Sequence, residues 1–241
     1  MADQIVEVPE RVMVVAAHPD DAEMGAAATV ATWIRAGAQA FYLITTNGDK
    51  GTDEPDVTPE ELAPIRDRET RAAAAAVGVS EVQILPNRDG ELFYNYEFRG
   101  QVVYWIRKWR PNVVMTHDPS VMFSDFGVNH ADHRATGAAA LDAVYPFARG
   151  PWQYPDHLAQ GLQPHKVDEM LFWGSGQANV WVDVSDGIDL KIAALRCHVS
   201  QFSDLERTGN MSRERAERAG QEYGVPYAEA FRRLSFNRPR P

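Results

Sequence analysis

The sequence predicts an α/β/α sandwich, three layers with helices on both faces of a mostly parallel sheet. Three observations carry this. Short Val-rich runs such as Val12 to Ala17 (VMVVAA) are continuously apolar, as strands buried on both faces require. They alternate along the chain with Ala-rich helical stretches, the pattern of βαβ units. No repeat or low-complexity segment interrupts the 241 residues, so one domain over residues 1–241 accounts for the chain. At this length folding can bury roughly 70% of the unfolded surface, enough for a core without staples.

The elements follow in order. After Val12 to Ala17, Ala22 to Ala36 reads as a helix closed by Gly37, and Ala40 to Thr46 as the second buried strand. Thr58 to Val77 opens on a Thr-Pro pair and ends at Gly78, which predicts a helix; Val82 to Leu85 is a short strand. Phe98 to Trp109 places Val102, Val103, Ile106 and Trp109 on one helical stripe. Val113 to Thr116 is a fourth strand and Ala131 to Tyr145 a further helix. The Pro- and aromatic-rich stretch 146–164 reads as a long surface loop. Strands at Met170 to Trp173 and Val180 to Val184, a helix at Ile188 to Val199 and a charged helix face at Ser212 to Arg218 complete the pattern, before a basic tail, FNRPRP. Such a sheet is of Rossmann-like type, and its ligands lie beyond the carboxyl ends of the strands.

Composition narrows the function classes. The net charge of −10 repels phosphate backbones and anionic lipid heads, which argues against nucleic-acid and membrane partners. Cys197 is the sole cysteine, so neither an intrachain disulfide nor a thiolate metal cluster can form, as suits a reducing cytoplasm. The acidic opening MADQIVEVPE does not read as a secretory signal, and no apolar run approaches the roughly 20 residues of a membrane span. A cytoplasmic protein is expected, with self-association left open.

The segment after the first strand is His18-Pro19-Asp20-Asp21-Ala22-Glu23-Met24-Gly25. A dinucleotide-binding turn would be Gly-rich here, and three carboxylates would repel a pyrophosphate, so a nicotinamide oxidoreductase is disfavoured. Asp20 or Asp21 alone could merely cap a helix. Two adjacent carboxylates beside a histidine at a sheet's ligand edge instead call for a cation. His18 and Asp21 suit a borderline divalent metal, but two ligands are too few. A second cluster, Asn129-His130-Ala131-Asp132-His133-Arg134, opens a later helix. His130 and His133 can face one way there, and Asp132 can hold an imidazole's second nitrogen. His117 follows the fourth strand and completes a set of four histidines beyond strand ends.

AHPDDAEMG after a buried first strand, with HADH downstream, resembles the PIG-L/LmbE family of zinc-dependent N-deacetylases, which remove an acyl group from glucosamine-containing substrates. Arg66-Asp67-Arg68-Glu69, Asp89-Gly90-Glu91-Leu92 and His198-Val199-Ser200-Gln201 are similar to further family segments, so the resemblance spans residues 12 to about 201. It implies that His18, Asp21 and His133 bind zinc, though Fe2+ or Co2+ would suit the same donors. It implies Asp20 as general base, His130 as the group that assists at the tetrahedral intermediate, and Asp132 as their catalytic companion. Arg66, Asp89 and His198 are implied at the sugar pocket. Three protein ligands leave a fourth position for water, as a catalytic zinc needs. Two departures stand out: Ala131 replaces a frequent proline, and Val128-Asn129 replaces a Tyr-Gly pair found in some sugar deacetylases. The expected partner is an N-acyl amino sugar or glycoconjugate. A thiol-conjugate amidase of the same family, or a metal-binding protein without turnover, are the alternatives.

Overall fold

β1 (Arg11–Ala16) lies inside a seven-stranded sheet, between β2 (Gln39–Ile44) and β4 (Val113–His117). The computed structural model describes residues 7–124 and 127–237. The sheet continues from β2 to β3 (Glu81–Ile84) and from β4 to β7 (Glu169–Trp173), all parallel. β9 (Ala228–Ser235) then runs antiparallel to β7, and β8 (Val180–Asp183) antiparallel to β9 at the edge. A separate small ladder joins β5 (Phe123–Ser124) and β6 (Gly127–Val128).

β1 serves two cores at once. Val12, Val14 and Ala16 pack into one layer with α1 (Asp21–Arg35), α2 (Pro59–Val77) and α6 (Ile188–Leu195). Met13 and Val15 pack into the other with α3 (Tyr96–Trp109) and α4 (Ala131–Asp142). Alternate side chains of a strand point to opposite faces, so a run apolar at every position must be covered twice. The sandwich expected from the sequence is the architecture observed.

Boundaries differ where local chemistry decides them. Asn95 accepts from the Phe98 backbone N–H at 2.7 Å and starts α3 two residues before the expected Phe98. The helix expected through Tyr145 is regular only to Asp142; Pro146, which has no N–H to offer, sits in a wider turn over 143–147. The helix expected to reach Val199 stops at Leu195. The long loop holds a short helix, α5 (Pro155–Ala159), and several of its carbonyls accept from Arg107. The Ser212 to Arg218 face belongs to α7 (Leu205–Tyr223), where Ser212 and Ala216 are buried rather than solvated; Ala216 packs with Ile188 and Ile192 of α6.

β9 is absent from the sequence expectation. Three of its eight residues are charged, yet each has a partner: Glu229 with Lys191 at 2.7 Å, Arg233 with Glu169, and Arg232 with Gln177. The opening residues 1–6, taken as free of a secretory signal, and the tail from residue 238 lie outside the described residues. No helix among the described residues is long and apolar enough to cross a membrane.

Candidate active site

The chain leaves β1 for β2 on one side, while β4 lies on the other, so a crevice opens beyond the carboxyl ends of β1 and β4. The β1–α1 turn enters it. Asp20 takes φ 106° at the start of α1, and its carboxylate makes no bond to the helix's own N–H groups. The capping role open to it from sequence is therefore unfilled. Asp21 Oδ2 accepts from the His18 backbone N–H at 2.7 Å and lies 3.2 Å from His18 Nδ1. Asp21 Oδ1 is 3.3 Å from Nε2 of His133, one turn into α4. Two imidazoles and a carboxylate thus converge, with the His18 and His133 ring centroids 5.2 Å apart. Single ligand atoms of Asp21, His117 and His133, and likewise of His18, His130 and His133, lie within 4.8 Å of one another, N and O donors that fit a borderline divalent ion.

The second nitrogen of His18 is also held. His18 Nε2 lies 3.1 Å from Asp132 and 3.2 Å from Asp89. Asp132, fully buried, accepts in addition from the Gly90 N–H at 2.7 Å and the Leu92 N–H at 3.2 Å. It therefore ties the start of α4 to the Asp-Gly loop and orients His18, leaving Nδ1 for Asp21 and a metal. Burial opposes a charge on His18, but its bonds to Asp132, Asp21 and Asp89 prevail and raise its pKa to about 11. Burial likewise opposes ionisation of Asp21, yet His117, His133 and His18 hold it well below the usual carboxylate range.

His130 precedes α4 and is exposed. Its Nδ1 accepts from the Asp132 backbone N–H at 3.2 Å, which places the ring proton on Nε2. Burial and the charge of His18 push its pKa down, so a neutral N–H donor is favoured. Asp20 has the opposite tendency: burial and the neighbouring Asp21 raise its pKa to about 7, against the pull of Arg66, His198 and His18.

The sequence matches the family described as GlcNAc-PI de-N-acetylase over residues 13–144, a span that holds both clusters. The chain belongs to the PIG-L family. Within it, the sequence is 34% identical to the diacetylchitobiose deacetylase of Thermococcus kodakarensis, over 81% of this chain and 71% of that one. It is 28% identical to the 1D-myo-inositol 2-acetamido-2-deoxy-alpha-D-glucopyranoside deacetylase of Mycobacterium sp. (strain KMS), over 82% and 76%. The structure of N,N'-diacetylchitobiose deacetylase from Pyrococcus horikoshii, complexed with its inhibitor MPG, superposes with a TM-score of 0.86 at 32% identity, covering 94% of this chain and 84% of that one.

Two residues implied at the sugar pocket, His198 and Arg66, are buried in this PIG-L chain. His198 is fully buried, 3.2 Å from the equally buried Glu23, and so packs the C-terminal end of α6 onto α1. Arg66 is 3% exposed and turned inward. Its Nη2 donates to Pro19 O at 2.5 Å and Asp20 Oδ2 at 3.2 Å, its Nη1 to Gly48 O at 3.1 Å. It positions Asp20 rather than meeting solvent. Asp89 stays at the site's edge, bonded to His18 and 3.8 Å from Arg66. Glu69 turns away to Ser200.

Two further residues belong to the centre. His117 stacks on His133 with centroids 4.1 Å apart, and its Nε2 is 3.5 Å from Asp21. Trp173 Nε1 donates to its Nδ1 at 3.2 Å. Both end their strands, β4 and β7, and that position was the signal available in the sequence.

Proposed function

We propose that this chain is a metal-dependent hydrolase that removes an N-acyl group, acetyl in the simplest case, from an amino-sugar-containing substrate. The observation that carries the reading is Asp20: a carboxylate held in a left-handed backbone beside His18, Asp21 and His133, aimed away from its helix and clamped by Arg66. Simple metal binding has no use for it, which disfavours a binding protein without turnover. The names of the three relatives given above, each a deacetylase, support the same reading.

His18, Asp21 and His133 would hold the ion, with zinc the proposed metal. Such an ion supplies Lewis acidity, polarising an amide carbonyl and bringing the pKa of water towards roughly 7. The chain's own residues do the rest. Asp20 accepts a proton from the attacking water as the carbon–oxygen bond forms, and a carboxyl with a pKa near neutrality can return it. The carbon–nitrogen bond then breaks as that proton reaches the amine, giving acetate and the free amino sugar. The His130 Nε2–H donates towards the carbonyl oxygen as negative charge develops there. Asp132 keeps both histidines in register, and Asp89 offers a carboxylate to sugar hydroxyls. A free, half-buried Cys197 and the acidic surface fit a cytoplasmic setting.

The test presents zinc-loaded protein with N-acetylglucosamine, diacetylchitobiose and an N-acetylglucosaminyl-inositol, and quantifies primary amine and acetate together. Equal release of both from at least one substrate is expected. Asp20→Asn should keep the metal and lose turnover by about two to four orders of magnitude. Loaded protein that releases amine from none of them would refute the reading.

A further inference from the structure

A second cavity, of about 420 Å³, lies alongside α3, bounded by Leu85 after β3 and by the start of α5. Small-molecule sites run from about 300 to 1,000 Å³. It shares no lining residue with the cluster around His18, Asp21 and His133. Tyr96, Gly100 and Tyr104 line it at i, i+4 and i+8 of the helix, and Tyr154 and His157 line it from the α5 side. This wall is fixed against strain. Tyr154 takes φ 51° and ψ 66°, a left-handed conformation that costs a residue with a Cβ on the order of 1–3 kcal/mol. Glycine at position 100 makes room for its ring, since a Cβ there would stand 2.7 Å from Tyr154 Cε1. The Tyr154 hydroxyl donates to Tyr96 O at 2.9 Å and accepts from Arg99 Nε at 2.8 Å, and the Tyr96 ring stacks on it with centroids 4.6 Å apart. A strained residue held this firmly gives a preformed pocket wall, not a slack loop.

The lining selects the ligand. Arg99 lies over the Tyr96 and Tyr154 rings at 5.7 and 5.9 Å, and Lys108 over the Trp105 ring at 4.2 Å. The rings therefore already serve resident cations, and a cationic ligand would be repelled by them. Glu97, on the exposed rim, repels an anion. A neutral ligand remains. It cannot be wholly apolar, because it would strip water from Glu97, the Gln101 amide and the Tyr104 hydroxyl, all of which line the cavity. Gln101 has its Oε1 taken by Asn87 Nδ2 at 2.9 Å and keeps its NH2 as a donor. A pyranose ring whose substituents are all equatorial meets both demands. Its axial C–H groups, positively polarised, suit the negative faces of aromatic rings, while its hydroxyls suit the carboxylate, amide and phenol. We propose that this cavity is a binding site for a neutral β-glucopyranoside, separate from the metal-ligating cluster. It goes beyond the N-deacylase reading and does not depend on it.

The experiment titrates the zinc-loaded full chain with methyl β-glucopyranoside and with cellotriose, followed by saturation-transfer NMR, which detects millimolar binding. Neither sugar carries an amide, so no turnover intervenes. Saturable binding of both is expected, and methyl β-galactopyranoside, whose 4-hydroxyl is axial, should bind more weakly. Trp105→Ala should raise Kd about tenfold through the lost aromatic face. Glu97→Gln, on the exposed rim and so without effect on packing, should raise Kd by about threefold or more through the lost charged acceptor, which covers the case of a Trp105→Ala protein that does not fold. His133→Ala, in the catalytic cluster, should leave Kd within about twofold, as distant independent sites do. No saturable binding of either sugar would overturn the proposal, as would a folded Trp105→Ala or Glu97→Gln protein with wild-type Kd. Binding lost in His133→Ala and kept in Trp105→Ala would move the sugar to the catalytic cluster and overturn it too. So would tetramethylammonium displacing the sugar, which would give the rings to a cation.

Discussion

Asp20 holds a φ of 106°, a region that strains a residue bearing a Cβ by on the order of 1–3 kcal/mol. Its carboxylate also stands next to that of Asp21. Arg66 answers both, since one guanidinium nitrogen bonds the Pro19 carbonyl and the Asp20 carboxylate and so fixes the turn and the charge together. The sign of its effect on activity follows. Burial and Asp21 raise the Asp20 pKa to about 7, and Arg66 is the first of the groups that lower it. A dication on His18, Asp21 and His133 adds to those groups, so the acidic limb of kcat/KM in the loaded enzyme lies below 7. Arg66→Gln removes a cation that favours the carboxylate, and the limb should move up in pH; profiles of the two proteins across pH 4–8 check this, and an unmoved limb would assign it to another group. The sequence placed Arg66 near the site but not its bonds to Pro19 and Asp20, because an Arg-x-x-Glu spacing on a helix fixes a face and not the depth a long side chain reaches. The same holds for His198: its type and place suggest a pocket, whereas its burial against Glu23 depends on how α6 meets α1.

Elements set how far such local readings reach. α3 is a clear amphipathic helix in sequence, but Arg107 on it is 2% exposed and donates to five backbone carbonyls, those of Phe147, Ala148, Gly150, Gln153 and Tyr154. The stretch 146–164 has little regular structure of its own, and this one side chain supplies partners its carbonyls would otherwise lack. Arg107→Leu should cost on the order of 3 kcal/mol through unsatisfied buried carbonyls, a lowering of roughly 6–12 °C in Tm, while kcat/KM below the transition stays near wild type. An unchanged Tm would show that the loop orders itself. The parallel strands were legible because each is a continuous apolar run. β9 was not, because its pattern is broken by Glu229, Arg232 and Arg233, whose partners Lys191, Gln177 and Glu169 come from other parts of the chain. An antiparallel strand inserted between β7 and β8 can carry charge if neighbours neutralise it, and no local rule reveals those neighbours.

At the scale of the molecule, the site exists only in the folded state. His18 and Asp132 touch across 114 residues of chain, and Gly90 and Asp132 across 42. The sequence showed the two motifs and the strands that precede them; that they meet follows from β1 and β4 being neighbours. Asp20, Asp21, Asp89 and Asp132 are gathered there against their mutual repulsion, with His18 facing Asp21, Asp89 and Asp132 and Arg66 facing Asp20. A ligand bound by the native state alone raises stability by RT ln(1 + [L]/Kd). Zinc at one hundred times its Kd should therefore add about 2.7 kcal/mol, roughly 5–10 °C in Tm for a chain of this size. Treatment with a chelator should reverse the shift and abolish amine release without unfolding the sandwich, whose two cores lie on either side of the sheet and apart from the ligands. His133→Ala should remove the zinc-dependent part of Tm while leaving the chelated protein's Tm within a few degrees of wild type. Differential scanning calorimetry of both proteins, with and without zinc, reads all of these quantities, and a His133→Ala protein that keeps the full zinc shift would take His133 out of the ligand set.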